Sequence, residues 1–68
     1  MKNIELVYRT SDMEKGKFRI ISYLHSLPYA LKMWEKVKGE NQNIEYAYLR
    51  KLKLWNHETI KILKEISQ

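Results

Sequence analysis

One stretch of this sequence carries a complete helix signal, and its isolation constrains the fold more than any other feature. Residues Ser26 to Gly39 read SLPYALKMWEKVKG. The Ser26 hydroxyl can accept from the free N–H groups that open a helix. Pro28 falls in the first turn, where its missing N–H costs nothing and its fixed φ suits the helix. Leu27, Ala30, Leu31, Trp34 and Val37 recur at spacings of three and four and form one apolar stripe. Lys36 and Lys38 stand in the last turn, at the negative end of the helix dipole. Gly39 follows as the expected stop, because it adopts a left-handed conformation without strain. A single helix covers only one face of a sheet, so the other face must be solvated or bound.

The flanking segments alternate with a period of two. Residues 3–10, NIELVYRT, set Ile4, Leu6 and Tyr8 against Glu5, Val7 and Arg9 and are rich in strand formers. Ser11–Lys17, SDMEKGK, is a polar connection. Phe18–Ser26 resumes the alternation, so the two runs predict an antiparallel hairpin with a loop longer than the tight two-residue type. Phe18, Ile20 and Leu24, opposite Ile4, Leu6 and Tyr8, are the expected core face. Val7, Arg9, Arg19, Ile21, Tyr23 and His25 are then expected on the open face.

After the helix, Glu40–Asn43 is a polar turn. Ile44–Trp55 carries Tyr46, Tyr48 and an alternating RKLKL, which predicts a strand, although Ile44, Tyr48, Leu52 and Trp55 also fit a helical stripe. Its parity stays open, since Ala47 and Leu49 serve as core as well as their neighbours do. The ending HETIKILKEISQ fits either a short helix capped by Asn56 or a strand carrying Ile60 and Ile62. The order is β-β-α-β plus one further strand or short helix. That predicts one α+β domain over residues 1–68, a small antiparallel sheet with its main helix packed on one face.

Sixty-eight residues bury only about 60% of their unfolded surface, so the core is small. With no Cys there is no disulfide to reinforce it, and with two His there are too few ligands for a self-contained zinc site. No cofactor or metal is expected. No apolar run reaches the roughly 18 residues of a membrane span, and no signal peptide is evident, which points to a cytoplasmic protein without a membrane partner. His57-Glu58 begins like a zinc-protease helix, but Lys61 stands where the second His is needed. Gly16 and Gly39 are isolated from any phosphate-cradling loop. A non-enzymatic role follows, because catalysis requires several groups converging in a concave site.

Thirteen Lys and Arg against eight Asp and Glu give a formal charge of +5, which speeds encounter with acidic surfaces or nucleic acid. Two surfaces are candidates for contact. On the outer side of the helix, Tyr29, Lys32, Met33 and Lys36 offer an aromatic and a methionine between cations, a composition suited to a protein partner. On the open sheet face, Arg9, Arg19, Tyr23, Tyr46, Tyr48 and Arg50, extended by Lys51 and Lys53, offer forks for phosphate and rings on which bases stack. A plainer role for these side chains is cross-strand pairing and solubility. Arg50, Lys51 and Lys53 equally fit a strand-edge guard against aggregation. Trp55 fits the core rim or an interface.

Lys outnumbers Arg ten to three, and Ile, Asn and Tyr are plentiful while Gly, Ala and Pro are scarce. In size, in this AT-rich coding bias and in its β-β-α-β layout, the chain resembles small accessory proteins of phages and prophages of low-GC bacteria. The resemblance is compositional, spans the whole chain loosely and transfers no functional residue. It implies a module that binds a host protein as a regulator or inhibitor, with nucleic-acid binding as the alternative. Self-association is compatible with either.

Overall fold

A computed structural model describes residues 4–24, 26–53 and 56–65, with only the backbone described for Tyr23 and Leu24. The elements are β1 (Ile4–Thr10), β2 (Arg19–Leu24), α1 (Leu27–Glu40), β3 (Ile44–Leu52) and β4 (His57–Lys64). The four strands form one antiparallel sheet in the order β2-β1-β3-β4. The helix packs on one face of it, which is the expected α+β architecture.

The helix begins as its sequence predicts. Ser26 is extended and its hydroxyl accepts from the Tyr29 N–H. Ala30, Trp34 and Val37 are buried against Ile4, Leu6, Tyr8, Ile44, Ala47 and Leu49. Two details of the helix differ from expectation. Leu27 opens the helix largely exposed, and Leu31 is only partly buried. The helix also runs through Gly39 to Glu40, and Asn41 closes it. Both the backbone N–H and the side-chain Nδ2 of Asn41 donate to the Val37 carbonyl, so a polar cap does the work expected of a glycine.

The ambiguous ending is a strand. β4 pairs antiparallel with β3 along its length, with bulges between Ala47 and Tyr48 and between Leu49 and Arg50. β3 is therefore an interior strand, and Arg50, Lys51 and Lys53 guard no sheet edge.

The hairpin corrects the expected face of β2. Tyr8 pairs with Arg19, Val7 with Ile20 and Leu6 with Ile21. Over Leu6–Tyr8, even positions of β1 thus face odd positions of β2, a one-residue slip that moves these side chains to the other face, and past a bulge Ile4 pairs with Leu24 as expected. Ile21 packs against the core, whereas Phe18 and Ile20 are exposed. The cause lies in the connecting loop, residues 11–18. Arg9 donates from Nη1 to the carbonyls of Glu14 and Lys17, and from Nη2 to that of Met13. Gly16, at a φ of 83°, supplies the left-handed residue the turn needs. The loop is also tied to the start of β3 at the same end of the sheet. Thr10 Oγ1 and Asn43 Nδ2 donate to Asp12 Oδ1, and the Ser11 N–H donates to the Asn43 carbonyl. The Thr10 hydrogen bond, first, and the Asp12 backbone hydrogen bond hold the Asp12 carboxyl below its ordinary value of 3.8.

Candidate interaction surfaces

The helix side predicted for a protein partner divides in two. Tyr29 is 46% exposed, and Lys32 and Lys36 stand exposed one and two turns along. Met33 packs partly against the core. The helix therefore presents an aromatic with two cations, and the methionine supports the fold. Glu35 is occupied by Lys38 at 3.2 Å, and the Lys38 ammonium also lies 5.8 Å from the Trp34 ring centre.

The open sheet face holds fewer of the predicted basic groups than expected. Arg19 pairs with Tyr8 and Lys51 with Ile4, which puts both on the helix side. Lys53 lies beyond β3, where its N–H donates to the Asn56 carbonyl and its ammonium meets Glu58 at 3.4 Å. The Tyr23 side chain, His25 and Trp55 lie outside the described residues.

Arg9, Tyr46, Tyr48 and Arg50 do share the open face, since their β3 neighbours Ala47 and Leu49 point into the core. The two arginines are engaged within the fold. Arg9 Nε donates to Glu45 at 2.8 Å while its other nitrogens hold the loop. Arg50 Nε donates to Glu5 Oε1 at 2.6 Å, and the Ser22 hydroxyl and His57 Nε2 approach the same carboxylate at 3.4 and 3.5 Å. The Tyr46 and Tyr48 rings stack on each other, centres 6.1 Å apart and planes inclined by 21°.

Between these polar groups runs a feature the sequence reading missed. Val7 pairs with Ile20 on one side and with Tyr48 on the other, and Tyr48 pairs with Ile62. An apolar row, Ile20–Val7–Tyr48–Ile62, thus crosses all four strands on the face away from the helix. Val7 is 0% exposed, buried by its neighbours rather than by the helix core. Ile20 is 41% and Ile62 56% exposed. The signal for the row was present in the alternation of Ile60 and Ile62, but only the pairing register shows which residues meet. Tyr46, Tyr48, Ile62, Lys64 and Glu65 line a shallow apolar depression at its β4 corner.

Comparison with protein-family models, with curated proteins and with solved structures finds no match to this chain. No helix among the described residues is long and apolar enough to cross a membrane.

Proposed function

We propose that this chain is a small non-enzymatic binding module that docks onto another protein, as a regulator or inhibitor, through the outer side of α1. The observation that carries it is Tyr29, half exposed on a rigid helix, with Lys32 and Lys36 on the same side. An aromatic anchor flanked by cations fits an apolar pocket rimmed by acidic residues, where the anchor supplies affinity and the cations speed encounter. Nucleic-acid binding by the open sheet face is the weaker alternative. It needs free guanidinium forks, and Arg9 has its Nη atoms on loop carbonyls and its Nε on Glu45, while Arg50 is held to Glu5 through Nε.

The triple change Tyr29→Ala, Lys32→Ala, Lys36→Ala tests the proposal. Its melting temperature should stay close to that of the parent chain. Capture of the partner from lysate of the source cells should weaken by roughly thirtyfold or more, the loss expected for a central aromatic anchor. Capture retained by the folded triple variant overturns this use of the helix. Capture abolished by nuclease treatment of the lysate transfers the role to nucleic acid.

A further inference from the structure

We infer that the open face of the sheet is a self-association surface, and that a second copy of this chain covers it back to back. The inference goes beyond the helix-docking proposal and does not depend on it.

Charge selects a second copy over a different partner. The chain as a whole carries +5, so two copies repel wherever their cations meet. The open face is the exception. Among the described residues Arg9 is matched by Glu45 and Arg50 by Glu5. The surplus lies elsewhere, on Lys32 and Lys36 of the helix, on Lys51 and Lys61 of the helix side, and on Lys15 and Lys17 of the loop. A charge-balanced face on a cationic molecule is suited to meeting itself. An acidic partner would be drawn to the other surfaces.

The row of side chains is also self-complementary. A two-fold axis running along the strands, between β1 and β3, turns one face onto the other and exchanges the two ends of the sheet. Ile20 of each copy then meets Ile62 of the other. Val7, already enclosed by its neighbours, adds no contact surface, so the exposed Ile20 and Ile62 carry the meeting. Strands about 4.8 Å apart and about seven residues long make a face of roughly 19 by 24 Å. Two such faces remove on the order of 900 Å² from water before side-chain relief is counted, close to the roughly 1,200 Å² where specific interfaces begin. The resulting dimer is reversible and concentration-dependent.

Sedimentation of the 68-residue chain across a wide dilution series tests this directly. The parent chain should pass from monomer to dimer as concentration rises, and added salt should leave the equilibrium unchanged or strengthen it, because charge attraction does not drive it. Ile62→Glu and Ile20→Glu should each raise the dimer dissociation constant by about tenfold or more, since each places a charge opposite an apolar side chain. Ile62→Thr, which keeps the β-branched shape, serves if either Glu variant loses its strand circular dichroism. Leu27→Glu, an equally exposed apolar position on the helix, should leave the equilibrium unchanged. A parent chain that is monomeric at every concentration overturns the proposal. So does a dimer that survives the sheet-face substitutions, or one that Leu27→Glu dissociates.

Discussion

Arg50 and Glu5 face each other on adjacent strands, their side chains only 16% and 15% exposed, joined at 2.6 Å. Removing one partner of such a pair leaves the other charge shielded from water without its counter-ion, which is worse than losing both. Arg50→Met should therefore cost about 1–3 kcal/mol in urea unfolding, the range for leaving a shielded polar partner unsatisfied. Adding Glu5→Gln to it should recover part of that loss in a double-mutant cycle. A fully additive cycle would show that Ser22 and His57 satisfy Glu5 without help. The same pair explains what was illegible at the level of single residues. Arginine and tyrosine at alternate strand positions announce an open face, and Arg9, Tyr46, Tyr48 and Arg50 do lie there. What the arginines bind depends on Glu5 and Glu45, which only the β1–β3 register brings opposite them.

At the scale of the element, the β1–β2 loop decides more than either strand. Arg9 gathers the carbonyls of Met13, Glu14 and Lys17, and with them the point where the chain re-enters the sheet. Arg9→Met keeps the apolar stem and removes these donors. At about 0.5–1.5 kcal/mol for each net hydrogen bond, it should lower stability by about 2–4 kcal/mol. The backbone amides of residues 13–18 should lose their ordered chemical shifts while those of α1 keep theirs. Unchanged shifts in the loop would show that Gly16 and the strand pairing set the register alone. The helix was legible because its cap, stripe and length are local signals, and the error at its end is two residues. β2 was not, because alternation reports that two faces differ and leaves their assignment to the loop. β4 was undecided for a related reason. Only its pairing with β3 separates a strand of HETIKILK from a short helix.

Across the whole molecule, the chain builds outward from β1, which is central and pairs with both β2 and β3. The residues buried from both sides lie in β1 and β3, where Leu6, Val7, Ala47 and Leu49 are fully enclosed. β4 is held differently. Apart from Leu63, which packs partly against the core, its residues are exposed, and among the described residues β3 is its one strand neighbour. A strand attached along one edge can detach while the remainder stays folded, and such partial openings set the rate at which amides trade hydrogen with solvent. In dilute native solution, amides of β4 should exchange at least roughly tenfold faster than those of β1, through an opening that denaturant scarcely affects. Equal protection across the four strands would mean that the sheet opens only as a unit. Ile62 lies on this loosely held strand and also at the margin of the apolar row. In the proposed sheet-face dimer this flank is covered by the second copy, so β4 protection should rise with protein concentration while that of β1 does not.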